Sequence, residues 1–535
     1  MLLRDPKAFP NELLLADAFG VLGTHAGGNH RWTRSGICVS IRGEDGIRMK
    51  SWFGAKLLKL RGAYCLRHKR YEAALAIYSR LLEREPENAH ASCLAGYCLV
   101  ELGRGQEAVV MLDRALQIRP DYSSAHAQLS RALDQLGETE AALEYAQRAV
   151  RNDVRRDDPK RAAKWNGRIG YLLSKRGDWA SAVEYLRLAS QERSDAVVYD
   201  NLALALWNSG DKEGCVDTYR AAILLNPRDA DVHYGLGWAL YNLLRYEEAV
   251  EPLRRAIQLA PAHADAYHHL GVVLTYTGHP DEGLDALRRA ATLRHDHAET
   301  HYWIGRALED KGDWEGVVSA HRQATSLDPN HADAYVNLGV AYSNLGRSEE
   351  EIEAFKAAIR IDDKHALAWG NLALAYSERE MHQEALEAYE KLCELQPENE
   401  MGHYGVALSL GNLERFEEAV PKYQRAIELD PTFVIAHEYL GYIYLLMDRF
   451  SEAIACYERA MELAPGSAQL HAELADIYEK MGNSEEERRL RELAEELERR
   501  GNDPVVAFPK KPIVKEPAAN SPGAPSTELK TQKTS

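Results

Sequence analysis

The sequence is poor in cysteine, in long apolar runs and in positive charge. Seven cysteines in 535 residues are too few for a fold held together by disulfides. No run of 18 apolar residues occurs, so we expect no transmembrane helix and no membrane insertion. Lys and Arg number 65 against 82 Asp and Glu, which gives a net charge of −17. Because phosphate binding needs a concentrated positive surface, this balance argues against a nucleic-acid partner.

The motifs of common catalytic sites are also missing. The sequence has no Gly-rich phosphate-binding loop, no GxSxG, no HExxH and no paired CxxC, which mark nucleotide-binding, hydrolytic and metal sites. The nearest match, His437–Gly441, lacks the second histidine of a zinc motif. We therefore expect no enzyme activity, no bound metal and no cofactor.

The N-terminal region does not read as a secretory signal. Charged residues interrupt its first twenty positions, so no apolar core precedes a cleavage site; these are Arg4, Asp5, Lys7, Glu12 and Asp17. Together with the scattered cysteines, this predicts a cytoplasmic protein. Residues 1–48 are predicted to form an irregular extension, since they show no clear periodicity up to Met49.

A repeat of 34 residues organises most of the chain. Gly237, Gly271, Gly305 and Gly339 follow one another at this spacing, and most prolines near the repeat ends keep it. Each repeat carries two amphipathic patterns with the period of a helix. In one repeat the first pattern consists of Tyr335, Leu338, Gly339 and Tyr342, and the second of Ile352, Phe355, Ala358 and Ile359. Gly346 lies between the two patterns and is typical of a helix stop.

This pattern resembles the tetratricopeptide repeat (TPR) family over about residues 55–500. The turn glycine of that family appears as Gly103, Gly137, Gly177, Gly210, Gly278, Gly312, Gly346 and Gly482. Its small twentieth residue appears as Ala74, Ala108, Ala142, Ala182, Ala249, Ala385, Ala419 and Ala453. Small residues recur there because the two helices of a repeat approach closely. The resemblance implies an all-α fold, a right-handed superhelical solenoid of helix-turn-helix repeats.

Thirteen repeat units are predicted, and one interruption divides them. Repeats 1–3 span residues 55–156, a hinge or insertion of extra residues follows at 157–162, and repeats 4–13 span 163–484. A charged capping helix is predicted at 485–501, with Leu490, Leu493 and Leu497 on the side that faces the array. Residues 502–535 are rich in Pro and Lys and are predicted to be a disordered tail.

The twenty histidines invite a metal-site interpretation, which their positions oppose. One set occupies the fourth position of its repeats, where packing is expected: His233, His301, His403, His437 and His471. A second set lies at the turns between repeats: His263, His297, His331 and His365. Residues spread along a solenoid in this way do not converge on one ion.

In the family, the first helices of the repeats line a concave groove, through repeat positions 2, 5, 6, 9, 12 and 13. By that resemblance, the candidate peptide-binding residues are Asn201, Trp207, Tyr234, Trp238, Tyr241, His268, His269, Tyr302, Trp303, Arg306, Asn337 and Asn371. Aromatic residues and arginine dominate binding hot spots, and asparagine amides can bridge to a peptide backbone. Some of these aromatics are alternatively part of the repeat core. Tyr439 and Tyr442 form a further aromatic pair on the same face.

The resulting hypothesis is a non-enzymatic scaffold that binds a peptide or a partner protein in its groove. One alternative is a subunit that presents substrates to a separate enzyme, such as a glycosyltransferase, or to a secretion or assembly machine. A second alternative is a structural protein whose repeats assemble end to end, which the predicted capping helix opposes. An acidic body favours basic or neutral ligands.

Overall fold

The computed structural model describes residues 45–154, 159–192 and 196–500, and every regular element in these ranges is an α-helix. The first twelve helices are α1 Asp45–Arg67, α2 Tyr71–Arg84, α3 Ala89–Glu101, α4 Gly105–Ile118, α5 Ser123–Gln135, α6 Thr139–Val154, α7 Pro159–Arg176, α8 Trp179–Glu192, α9 Ala196–Asn208, α10 Lys212–Leu225, α11 Ala230–Asn242 and α12 Tyr246–Leu259. The next eight are α13 Ala264–Tyr276, α14 Pro280–Leu293, α15 Ala298–Glu309, α16 Trp314–Leu327, α17 Ala332–Asn344, α18 Ser348–Ile361, α19 Ala366–Glu378 and α20 His382–Leu395. The last six are α21 Glu400–Asn412, α22 Phe416–Leu429, α23 Val434–Leu446, α24 Phe450–Leu463, α25 Ala468–Lys480 and α26 Ser484–Arg500.

These helices pair in chain order into thirteen helix-turn-helix repeats. An odd-numbered helix is the first of its repeat, and the following even-numbered helix packs against it. This confirms the predicted all-α solenoid fold and its repeat number. The described chain divides between Pro261 and Ala262 into two compact units, called unit 1 and unit 2 below.

The turn inside each repeat requires one residue with left-handed backbone. Gly346 supplies it between α17 and α18, with φ +68°, a conformation that costs glycine little. Where no glycine stands, the repeat still enforces this conformation: Leu244, Glu380, Glu414 and Asp448 have φ near +59°. Because side chains disfavour this region, the packing of the helix pair sets the turn and the residue adapts to it.

Small residues on the first helices allow the second helices to approach. A Cβ atom built onto Gly339 of α17 would lie 2.5 Å from Phe355 Cε1 of α18. Phe355 is itself fully buried. The glycine is therefore required by the close contact between the helices, and the contact repeats along the chain with other partners, such as His321 opposite Gly305.

Replacing Gly339 with alanine is expected to destabilise unit 2 by about 1–3 kcal/mol, because the added methyl overpacks the contact with Phe355. The matched control is Gly370→Ala in α19, where the nearest side-chain atom lies 3.5 Å from the added Cβ. That control should be neutral or stabilising, since glycine is unfavourable inside a helix. Urea unfolding of both variants measures the difference, and equal stabilities would contradict this account.

The region of the predicted hinge lies partly outside the described residues, which exclude 155–158. On either side the helices are lengthened: α6 has 16 residues and α7 has 18, against 14 and 13 in α18 and α17. Trp165 Nε1 donates a 2.7 Å hydrogen bond to Asp153 Oδ2, and both residues are buried. Much of the extra length therefore extends two helices that contact each other.

At the two ends, the structure describes only part of what the sequence predicts. Of the predicted extension, residues 1–44 lie outside the described part, and α1 begins at Asp45. The predicted tail at 502–535 lies outside it as well. The apolar face expected for the terminal helix was wrong at one position: in α26 Leu490 and Ala494 are buried, whereas Leu493 is exposed.

Candidate ligand-binding surface

All twelve candidate residues lie on first helices, but they belong to two separate compact units. Unit 1 carries those on α9 and α11, namely Asn201, Trp207, Tyr234, Trp238 and Tyr241. Unit 2 carries those on α13, α15, α17 and α19, namely His268, His269, Tyr302, Trp303, Arg306, Asn337 and Asn371.

In unit 1 two tryptophans meet on neighbouring first helices. The rings of Trp207 and Trp238 have centroids 4.9 Å apart at an angle of 58°, and both side chains are half-buried. The ammonium of Lys212 lies 5.1 Å from the Trp207 ring. Tyr234 and Tyr241 on α11 are also half-buried. This aromatic surface offers large, partly accessible apolar side chains, as binding hot spots do.

A buried polar pair joins the two helices of the repeat that carries Trp207. The hydroxyl of Tyr219 donates a 3.0 Å hydrogen bond to Asp200 Oδ1, and both residues are buried. Burial, followed by the charge of Asp200, raises the pKa of the Cys215 thiol to about 12. Cys215 is therefore a protonated packing residue, as expected from its position inside a helix. Asn201, also buried, presents little surface to a ligand.

In unit 2 the carboxylate of Glu299 organises the candidate residues around it. Trp303 Nε1 donates to Glu299 Oε1 at 2.8 Å, and His331 Nε2 lies 3.3 Å from Glu299 Oε2. The ring of Tyr302 stacks on His331 with centroids 4.8 Å apart. Burial acts to lower the pKa of His331, but the hydrogen bond and charge of Glu299 outweigh it and raise that pKa.

Three of the four histidines at the repeat boundaries cap the helix that follows them, a role that the sequence pattern did not predict. Nδ1 of His331 and of His365 accepts the backbone N–H of Ala334 and of Ala368, each at 3.3 Å. The opposite ring nitrogen of His365 lies 3.0 Å from Asp333 Oδ1 of the preceding repeat. His331 and His365 therefore bridge consecutive repeats. The available signal was an acidic residue at the second position of the first helix in the preceding repeat.

Burial separates the candidates of unit 2 into two groups. Trp303 is only 8% exposed, and His268 and Asn371 are also buried, so these three side chains offer little area to a ligand. Tyr302 and Arg306 are half-buried, and Arg306 Nε lies 3.3 Å from Glu309 Oε2. The other half-buried candidates are His269 and Asn337. In the described part of the chain, Nδ2 of Asn337 has no hydrogen-bond acceptor.

The fourth-position histidines pack as expected. Nε2 of His233, His403 and His437 lies 3.1, 3.0 and 3.3 Å from the carbonyl oxygen of the proline six residues earlier. Across the described residues no group of three or more His, Cys, Asp or Glu side chains is placed to hold a metal ion. Nor does any described helix combine the length and apolar character needed to cross a membrane.

Family models for the tetratricopeptide repeat match most of the chain. One matches residues 64–123, 201–264, 270–316 and 404–468, and others match 99–164, 332–365 and 366–399. A further model, described as a TPR repeat, matches 305–346. Among curated proteins none matches this chain.

Solved structures of other repeat proteins also match this chain. YrrB, described as a TPR protein with an unusual peptide-binding site, is 24% identical, with 35% of this chain and 96% of that chain covered and a TM-score of 0.32. Yeast Tom70 is 18% identical, with 84% and 96% covered and a TM-score of 0.32. The Cut9–Hcn1 hetero-tetramer of the APC/C is 14% identical, with 83% and 96% covered and a TM-score of 0.33.

Proposed function

Since this chain belongs to the tetratricopeptide repeat family, whose repeats serve as protein-interaction scaffolds, we propose that it binds a peptide segment of a partner protein along its first helices. The ligand class is an extended or helical peptide, and no catalytic step is assigned to this chain. The finding that carries the proposal is the half-buried Trp207–Trp238 pair of unit 1.

Two physical features of this pair support a binding role. A tryptophan supplies a large apolar area with little conformational entropy to lose, so it contributes strongly when a ligand covers it. The two rings already contact each other, and this contact reduces the ordering cost on binding. In unit 2, Tyr302, Arg306 and Asn337 supply half-buried aromatic, cationic and amide groups on the corresponding helices.

The proposal predicts that Trp238→Ala weakens peptide binding by about thirtyfold or more, since hot-spot truncations cost about 2 kcal/mol or more. Peptides are first selected from a random displayed library on the full chain, and their affinities are then measured by fluorescence anisotropy. The melting temperature should change little, because the indole is only half-buried.

The control is Leu224→Ala on the second helix α10, an apolar residue that is 83% exposed in the same unit. It should leave both peptide affinity and stability unchanged. If the selected peptides bind Trp238→Ala and Leu224→Ala equally well, this aromatic surface is not part of the binding site. Failure to select any peptide would contradict the proposed function itself.

A further inference from the structure

Two carboxylates near the end of unit 2 share one neutral hydrogen-bond donor. Glu438 lies on α23 and Glu473 on α25, the first helices of the last two repeats. Nε2 of Gln469 lies 2.7 Å from Glu473 Oε1 and 3.5 Å from Glu438 Oε1. These two carboxylate oxygens are therefore no more than about 6 Å apart, within the range of strong mutual repulsion.

No cation of the described chain compensates this pair. Neighbouring acids are neutralised: Arg491 Nη2 of α26 lies 2.9 Å from Asp476 Oδ1 and 2.7 Å from Glu479 Oε2. Neither Glu438 nor Glu473 forms an ion pair with a described Lys, Arg or His residue. Burial and then the charge of Glu473 raise the pKa of Glu438 to about 7. Two uncompensated carboxylates on a groove face are costly for the free protein, and a bound cation would relieve the cost.

Tyrosines surround the two carboxylates. Tyr442 is 48% exposed and lies one helical turn from Glu438 on α23, so the two side chains share a face. Tyr439 is half-buried, and its ring meets that of Tyr404 edge to face with centroids 6.0 Å apart. The faces of tyrosine rings attract ammonium and guanidinium groups.

A buried hydroxyl without a partner lies within electrostatic reach of Tyr439. Burial, followed by the charge of Glu473, sixteen residues further along the chain, raises the pKa of Tyr457 in α24. Tyr423 of α22 is its equivalent one repeat earlier, and Tyr439 stands sixteen residues after it. Tyr423 is fully buried, and its hydroxyl has no hydrogen-bond partner in the described part of the structure. Burial, followed by the phenol of Tyr439, raises the pKa of Tyr423.

We propose that Glu438, Glu473, Tyr439 and Tyr442 form a binding site for a lysine or arginine side chain of a partner peptide. The carboxylates supply charge-assisted acceptors, the tyrosine rings supply cation–π contacts, and the net charge of −17 attracts a basic partner. The inference rests on the proposed function in one respect, which is that the ligand lies on first helices. The site itself is separate, because it lies far along the sequence from Trp207 and Trp238.

The test measures binding of labelled octapeptides to the full chain by fluorescence anisotropy. Three peptides alternate glycine with lysine, with arginine or with glutamate. The basic peptides should bind and the acidic one should not. Glu438→Gln with Glu473→Gln should weaken basic-peptide binding at least tenfold, and Tyr442→Ala should weaken it severalfold. The melting temperature should not fall in the double variant, because it removes a repulsive pair.

The charge-matched control is Glu417→Gln with Glu458→Gln, two exposed glutamates on the second helices α22 and α24. It changes the net charge equally and should leave binding unaffected. If both double variants weaken the binding of the basic peptides equally, the cause is a general attraction to the acidic protein, and the proposed site is wrong. A different result is that basic peptides bind tightly only after Lys510, Lys511 and Lys515 are changed to alanine. In that case this chain's own basic segment occupies the site, and the assignment to a partner is wrong.

Trp238→Ala separates this inference from the proposed function. If the basic peptides still bind that variant while library-selected peptides do not, both proposals hold at different surfaces. If the selected peptides bind the wild-type chain but no basic peptide does, the cation site is wrong and the proposed function stands.

Discussion

Replacing Trp303 with alanine is expected to destabilise unit 2 by about 3–5 kcal/mol, the usual cost of truncating a buried tryptophan. Its indole is 8% exposed and packs against the rings of Tyr276 and Tyr302, with centroids 5.2 and 5.7 Å away. The truncation also removes the indole donor to Glu299 Oε1. Stability, rather than ligand binding alone, is therefore what this side chain should control.

Chemical unfolding of the full chain, with hydrogen exchange resolved to α13–α17, measures the loss where it occurs. Exchange is needed because repeat arrays do not always unfold in one step. The control is Trp369→Ala in α19, a half-buried tryptophan whose Nε1 donates to the carbonyl of Asp363, and we expect a smaller loss there. If the Trp303→Ala protein unfolds like the wild type, Trp303 does not support the fold and is again a candidate for contact with the ligand.

Replacing Glu351 with glutamine is expected to stabilise unit 2 by up to about 3 kcal/mol at pH 8 and to change little near pH 4. Glu351 is 5% exposed and stands at the twentieth repeat position, where eight other repeats have alanine. Burial, and after it the charge of Glu378, raises its pKa from 4.5 to about 7, although the Ser343 hydroxyl opposes this by hydrogen bonding. The folded chain therefore holds its proton more tightly than the unfolded chain.

The sign of the pH dependence follows from this difference. Below pH 4.5 the carboxyl is protonated in both states and costs no charge burial. Between pH 4.5 and pH 7 the unfolded chain ionises first, so the wild-type protein loses stability, at about 1.4 kcal/mol per pH unit. Above pH 7 the loss is complete. Glutamine does not ionise, so the difference between variant and wild type should appear across this interval.

Urea unfolding of both proteins from pH 4 to pH 8 gives that difference, in which the titration of histidines common to both proteins cancels. The control is Glu349→Gln, an exposed neighbour on α18, which should show almost no pH-dependent difference. A stability difference that stays constant from pH 4 to pH 8 would show that Glu351 is not a buried ionisable group.

The repeat arrangement was readable from the sequence because it depends on local chemistry repeated many times. Apolar residues at helical spacing, together with a small residue at positions such as Gly339, specify two helices that must pack closely. The opposing side chain, Phe355, lies sixteen residues further on in the same repeat. Sequence therefore determined the fold class, the number of repeats and the helices that carry the candidate surface.

Whether a given candidate residue is exposed was decided by the tertiary structure alone. Trp207 and Trp303 are both candidate tryptophans on first helices, yet Trp207 is half-buried and Trp303 is almost fully buried. The tertiary structure alone also brought Glu438 and Glu473 together as an uncompensated pair. They lie thirty-five residues apart in the sequence and meet only across two repeats. A repeat position fixes the direction of a side chain, but its exposure depends on the size, charge and rotamers of residues on neighbouring helices. Tyr276, which packs on Trp303 from the preceding repeat, lies at the end of its own helix, where the repeat pattern gives no indication of that contact.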